Sequence, residues 1–203
     1  MDECTHYSRR CAFLAPCCMK VYKCRFCHND KEDHELVRTS VTVIICIQCE
    51  EKQDVGTHCV NCGIRFGMYA CLECRLFDDQ DKQQFHCDKC GACRIGGQEN
   101  FFHCDNCDIC LSNNLREGHA CRTESGRDKC PVCFEHVHTA ADSSFVPNCG
   151  HMIHMKCYKL IKQFGYGKCP ICTRPYDDNN WRNAVQQTTQ NAQDNNNNEN
   201  VVN

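Results

Sequence analysis

The stretch FHCDKCGACRIGGQENFFHCDNCDIC, residues 85–110, contains one short pattern twice. FHCDKCGAC (85–93) returns as FHCDNCDIC (102–110), offset by 17 residues. A repeat this regular reads as one small structural unit placed beside its copy. Each copy supplies one His and three Cys. Two thiols three positions apart on a tight turn can grip one small cation, which is how structural zinc is held. The same spacing makes a poor structural disulfide and otherwise marks a redox pair. The flanks supply half-sets: Cys71 and Cys74 before, His119 and Cys121 after. Sharing each metal between consecutive units closes the chain of half-sets as Cys71, Cys74, Cys87, Cys90, then His86, Cys93, Cys104, Cys107, then His103, Cys110, His119, Cys121. Such an interleaved spiral of zinc sites needs almost no apolar core.

The rest of the sequence agrees. Of 203 residues, 25 are Cys and 11 are His, and ten C-x2-C pairs occur. Leu, Ile, Val and Phe together number only 38, about 19 % of the chain, near the level at which chains stay disordered. A large enzyme fold built on an apolar core is therefore excluded. The longest apolar run, near Val43–Ile47, is far short of the roughly 20 residues a membrane helix needs. The opening MDECTHYSRRC shows no signal peptide, so a reducing compartment is expected, cytoplasm or nucleus, where clustered Cys reads as metal ligand. A redox protein needs one C-x2-C pair, not ten, and disulfides have no use for the His residues that accompany the cysteines. The expected architecture is a set of small, irregular α+β modules stabilised by zinc. Strands are expected within Leu36–Ile47 and Ile64–Tyr69, and a helix over Met155–Phe164. RTESGRDK, residues 122–129, reads as a linker, and QQTTQNAQDNNNNENVVN at the C-terminus as an Asn/Gln-rich disordered tail.

From Cys130 the donors run Cys130, Cys133, Cys149, His151, His154, Cys157, Cys169, Cys172, with 2, 15, 1, 2, 2, 11 and 2 residues between them. This order closely resembles a RING finger of the H2 type. The resemblance implies a cross-brace, with Cys130, Cys133, His154 and Cys157 on one zinc and Cys149, His151, Cys169 and Cys172 on the other. It also implies a shallow apolar surface for an E2 ubiquitin-conjugating enzyme. The matching positions are Val132, Pro170 and Ile171, with Leu160 or Phe164 from the helix. Many active RING fingers carry a basic residue directly after the last Cys. Here Thr173 stands there and Arg174 follows.

The N-terminus reads CTHYSRRCAFLAPCC and then YKCRFCHNDKEDH, which looks like a CHY-type zinc finger, named for Cys4, His6 and Tyr7. The middle block, from FGMYACLECRLFDD to HAC, resembles a CTCHY-type finger. CHY, CTCHY and RING in that order are similar to the CHY and RING finger ubiquitin ligase family. The resemblance implies modules over residues 1–65, 66–124 and 125–176, with the tail over 177–203. The carried-over ligands of the first module group as Cys4, His6, Cys24, Cys27, then Cys17, Cys18, His28, His34, then Cys46, Cys49, Cys59, Cys62. The three modules then offer 32 donors, four for each of about eight zinc ions. Cys11, His58, His136 and His138 are left over, as a spare thiol and three exposed or locally packed rings. Family members continue into a further zinc ribbon that helps bind targets, and no Cys follows Cys172, so substrate capture is expected from the first two modules or the tail.

The expected activity is that of a RING-type E3 ubiquitin ligase, with an E2, ubiquitin and a protein substrate as partners. No nucleophile on this chain is required, since the gain is positioning. Formal charge is −3, and 24 thiolates with eight dications would take it to about −11. That balance argues against nucleic acid as a partner. Dimerisation of the RING is left open. The competing expectation is a non-enzymatic zinc adaptor, which Thr173 and the lack of a ribbon favour. A redox or iron-linked thiol sensor is a weaker third.

Overall fold

The computed structural model describes residues 4–139 and 143–176, and the expected C-terminal tail lies outside them. The chain divides into two compact units, Met1–Gln98 and Glu99–Asn203. The division falls inside the segment expected as the CTCHY module, between its two copies. No described helix is long and apolar enough to cross a membrane.

The first unit is built on a four-stranded antiparallel sheet in the order β2-β1-β3-β4. Its strands are β1 (Cys11–Ala15), β2 (Lys20–Tyr22), β3 (Val43–Cys46) and β4 (Lys52–Asp54). The expected strand over Leu36–Ile47 forms only as β3, because a 3-10 turn at Arg38–Ser40 interrupts it. Phe13, Tyr22, Leu36, Val41, Ile44, Phe66 and Phe77 form a small core, in which Phe66 meets Phe77 edge-on at 6.2 Å between centroids. A short helix, α1 (Arg25–Asn29), begins on Cys24, whose sulfur accepts from the Cys27 backbone N–H. Two hairpins follow, β5 (Tyr69–Cys71) with β6 (Leu76–Asp78), and β7 (Phe85–Cys87) with β8 (Ala92–Arg94). The strand expected over Ile64–Tyr69 is confined to the entry into β5.

The second unit holds the second copy of the repeat as the hairpin β9 (Phe101–Cys104) and β10 (Ile109–Ser112), followed by β11 (Ser144–Phe145), β12 (Ile153–His154) and helix α2 (Met155–Gln163). The helix matches its expected span to one residue. Cys157, Tyr158 and Ile161 turn inward at the i, i+1, i+4 spacing of one helical face. Phe145 stacks on Tyr158 with centroids 3.7 Å apart, and Tyr176 stands edge-on to both. Ile109 and Leu111 of β10 belong to this same core, so the second repeat and the C-terminal module fold around one set of apolar side chains.

The segment expected as a linker is docked instead. Ser125 is fully buried, Glu124 N–H donates to Asn106 O at 2.7 Å, and Gly126 N–H donates to Cys107 O at 2.8 Å. A Cβ on Gly126 would lie 2.5 Å from Ile109 Cβ and 2.7 Å from Cys107 O. Glycine is required there for close approach of the chain, not for an unusual φ. Gly126→Ala is expected to destabilise the second unit by about 1–3 kcal/mol, the scale of overpacking in a tight core. Thermal unfolding of the zinc-loaded chain, together with protease sensitivity at 122–129, checks it.

Candidate metal centres

All 25 cysteines are free thiols, and they converge with the histidines into compact sets. Cys4, His6, Cys24 and Cys27 form one, Cys17, Cys18, His28 and His34 a second, and Cys46, Cys49, Cys59 and Cys62 a third, with donor atoms within 4.8 Å of one another in each. These are the three groupings the sequence suggests for the first module. Sulfur–sulfur separations of 3.4–3.8 Å recur across the sets. A tetrahedron with Zn–S near 2.3 Å has edges of about 3.8 Å, so the spacing fits zinc. In the second set, His28 Nε2 lies 3.2 Å from Cys17 Sγ. His34 Nε2 is buried with no hydrogen-bond partner, while Nδ1 faces Asp33 Oδ1 at 3.0 Å. A buried ring nitrogen without a partner, set among thiols, is what a metal ligand looks like before the metal is counted.

The interleaved partition of the middle block is corrected. His86 lies with Cys71, Cys74 and Cys93, in place of Cys87 and Cys90. In the second unit Cys104, Cys107 and Cys121 approach within 3.4–3.6 Å, and His119 Nε2 lies 3.5 Å from Cys107. Cys104 and Cys107 therefore join His119 and Cys121, not His86 and Cys93. The reason is strand geometry. His86 pairs with Cys93 across β7–β8, and His103 with Cys110 across β9–β10. Directly opposed residues share a sheet face, while neighbours such as His86 and Cys87 point to opposite faces. Counting half-sets in chain order ignores this parity. Cys87, Cys90, His103 and Cys110 stand outside both corrected sets.

In the C-terminal module His154 Nδ1 lies 3.3 Å from Cys133 and 3.9 Å from Cys157, and His151 Nδ1 lies 3.7 Å from Cys169. Cys157 interacts with Cys133 and Cys130, and Cys149 with Cys169 and Cys172. The donors alternate between two sets along the chain, as a cross-brace does. Helix α2 has His154 at its N-cap with no side-chain capping bond, because that ring is turned into the cluster. Cys157, one turn on, joins it from the same face.

Each turn also has its own local chemistry. Backbone N–H groups donate to the leading sulfur at 3.3 Å in Cys24/Cys27 and Cys71/Cys74, and at 3.5 Å in Cys59/Cys62. Such donors favour thiolate, the metal-binding form. The backbone N–H of Cys62 draws Cys59 down to about 7. Hydrogen bonding from Cys93, with Arg38 and His86 adding charge, draws Cys74 to about 5. Cys11 behaves oppositely. It is fully buried in β1 opposite Cys46, and burial pushes its thiol up to about 12. His58 faces Thr57 Oγ1 at 2.8 Å and His136 faces Arg127 O at 3.1 Å.

One feature of these turns was not read from the sequence. The residue directly after the second Cys is left-handed in turn after turn: Met19, Glu50, Gly63, Arg75, Gly91, Asp108, Phe134 and Thr173, with φ between 52° and 73°. The reversal lets its N–H return to the carbonyl four residues earlier, as in Phe134 N to Cys130 O and Thr173 N to Cys169 O, both 2.9 Å. Only two of the eight are glycine. The others hold a conformation that disfavours a side chain, and Thr173, being β-branched, holds it least comfortably. The only sequence signal was the glycine in two of the eight turns.

The surface residues expected to meet an E2 are accessible. Pro170, Ile171, Arg174, Leu160 and Phe164 are exposed, and Val132 is half-buried against the core. Leu160 lies within α2, whereas Phe164 is its C-cap. Phe134, 71 % exposed beside Cys133, was not singled out by the sequence reading.

Residues 4–69 match the CHY zinc finger family, and residues 130–177 match the RING/Ubox-like zinc-binding domain family. The chain is 46 % identical over 178 residues to E3 ubiquitin-protein ligase SRFP1 of Oryza sativa subsp. japonica, covering 86 % of this chain and 68 % of that protein. It is 42 % identical to E3 ubiquitin-protein ligase RZFP34 of Arabidopsis thaliana, covering 88 % and 66 % respectively. It is 36 % identical to Zinc finger protein BRUTUS of Arabidopsis thaliana, covering 86 % of this chain but 14 % of that protein. The chain thus spans about two thirds of the first two relatives.

Two outcomes are expected. Chelation of zinc should collapse both units, since each structural zinc contributes roughly 10–16 kcal/mol of apparent binding energy coupled to folding. Loss of ellipticity and of dispersed amide resonances on titration with a strong chelator checks this. Thr173→Asn should stabilise the C-terminal module by about 1 kcal/mol, because Asn tolerates the left-handed region and Thr does not. A higher unfolding midpoint of the zinc-loaded variant is the readout.

Proposed function

Given that the chain belongs to the CHY and RING zinc-finger family of E3 ubiquitin-protein ligases, we propose that it is itself a RING-type ubiquitin ligase. The observation that carries this reading is the arrangement of the eight donors from Cys130 to Cys172 in two alternating closed sets. With four protein donors on each ion no coordination position is open, so the zinc acts as a brace and not as a Lewis acid. Its chemical contribution is to hold the two turns and α2 in fixed relation.

Everything else is positioning. The braced turns present Val132, Pro170 and Ile171, and α2 presents Leu160 near its C-cap Phe164. These form the apolar contact surface for an E2 carrying ubiquitin as a thioester. Arg174 takes the place of the basic residue that Thr173 does not supply. The chain itself forms no ubiquitin thioester. Most of its thiols belong to the metal sets described above, and Cys11 is buried with its thiol pushed up to about 12. A substrate lysine attacks the E2 thioester directly, and the ligase supplies proximity and a restricted geometry. The N-terminal modules hold the substrate protein. The 32 donors imply about eight zinc ions per chain, and so many metal-bound thiolates suit the reducing cytoplasm or nucleus.

The test is self-ubiquitination by the zinc-loaded chain with a panel of E2 enzymes. Val132→Ala and Ile171→Ala are expected to slow ladder formation tenfold or more, about 1.4 kcal/mol of lost interface energy, with zinc content unchanged in both and melting unchanged in Ile171→Ala, whose side chain is exposed. His151→Ala should abolish ladders together with zinc from that site. Ladders absent with every E2, from protein shown to hold its zinc, would overturn the ligase reading in favour of an adaptor.

A further inference from the structure

We propose that Glu73 is a positioning residue for the metal set of Cys71, Cys74, His86 and Cys93, acting as the outer carboxylate that fixes the His86 ring. The inference rests on the zinc reading of that set.

The two nitrogens of His86 have different surroundings. Nδ1 faces the sulfurs, 3.4 Å from Cys71, 3.3 Å from Cys74 and 3.8 Å from Cys93. Nε2 points the other way. It is buried and has no aligned hydrogen-bond partner. Glu73 Oε2 stands 2.9 Å from it, and Asp88 Oδ1 is more distant at 3.7 Å. A neutral imidazole that gives its Nδ1 lone pair to a metal must carry its proton on Nε2. That N–H is then a desolvated donor, and leaving such a group unpaired is unfavourable. The Glu73 side chain is 76 % exposed and free to turn the few tens of degrees that would align the contact.

Three other ligand histidines are held from behind by neutral oxygens, and His34 by a carboxylate, its Nδ1 facing Asp33 Oδ1 at 3.0 Å. His28 Nδ1 faces Asn29 Oδ1 at 3.0 Å, His119 Nδ1 faces Leu115 O at 2.9 Å, and His154 Nε2 faces His136 O at 3.3 Å. Like His34, His86 faces a charged acceptor. It comes from within the Cys71–Cys74 turn itself, so one four-residue turn supplies two sulfur ligands and the support for a third donor. A carboxylate in that position both fixes the tautomer and raises the basicity of the metal-bound nitrogen.

The experiment uses the full zinc-loaded chain with Glu73→Ala, Glu73→Gln and Asp88→Ala. Zinc content is measured by elemental analysis, and zinc transfer to a chromogenic chelator is followed in time. Glu73→Ala is expected to bind the wild-type amount under excess zinc, but to release one equivalent 10–100-fold faster, the usual cost of losing an outer-sphere partner. Glu73→Gln should fall between, since its amide oxygen accepts without charge. Asp88→Ala should stay within about twofold of wild type, the range for a contact too long to hydrogen-bond. Histidine 15N resonances should show His86 protonated on Nε2 in wild type and broadened or exchanging in Glu73→Ala. Release from Glu73→Ala superimposing on wild type would overturn the proposal, and so would faster release of every equivalent together. The underlying zinc reading fails separately, if Cys71→Ser leaves the zinc content of the chain undiminished.

Discussion

The structure depends on the attraction of one small cation for four soft or borderline donors brought to tetrahedral spacing. With so few large apolar residues, neither unit has a core that would hold its strands unaided. The largest buried group in the first unit is a handful of side chains around Phe13, Ile44, Phe66 and Phe77. The strands are two to five residues long, too short to be stable by pairing alone. Metal binding supplies what the core lacks, and the turn geometry follows from it. The sulfurs accept backbone N–H bonds, and the residue after each pair is driven into the left-handed region by the reversal of the chain. Side chains such as Phe134 and Thr173 are kept in a conformation they disfavour because releasing it would open the metal set.

The second unit shows how such a chain passes from one module to the next. The copy of the repeat in β9–β10 is not an independent bead. Ile109 and Leu111 enter the same apolar cluster as Tyr158 and Phe145. The 122–129 segment is tied down at Gly126 and by the Arg127–Asp108 ion pair, where the guanidinium holds the Asp108 carboxyl below its usual range. A polar, glycine-containing stretch between two metal modules reads as a linker in the sequence. Folded, its backbone groups find partners and its glycine finds a slot, so it acts as packing material. The module that carries the exposed apolar residues Leu160, Phe164 and Ile171 is thereby supported from behind by the segment before it.

Function in this reading comes from rigidity and display, not from a reactive group. The exposed apolar residues sit at the tips of metal-held turns and on one short helix, positions where thermal motion is restrained at low cost in chain length. His28, His34, His86, His119 and His154 face carbonyl, amide or carboxylate oxygens on their far side. The outer contacts are therefore part of the same device as the ligands.

The sequence by itself determined the class of protein. Ten C-x2-C pairs, the 17-residue repeat and the eight-donor order from Cys130 specify metal-held modules, because thiol spacing on a turn is a local property of the chain. The three groupings of the first module were legible through the resemblance to a CHY-type finger, and helix α2 through its apolar spacing. What only the tertiary structure decided depends on direction, not spacing. The partition of the middle block turned on which sheet face His86 and Cys87 occupy, and that parity is set by hairpin register. The docking of Gly126 and the left-handed Thr173 could not be read from residue type either. Each depends on what the folded chain brings to within 3 Å of a backbone atom, and such proximity exists only after the metal sets have closed.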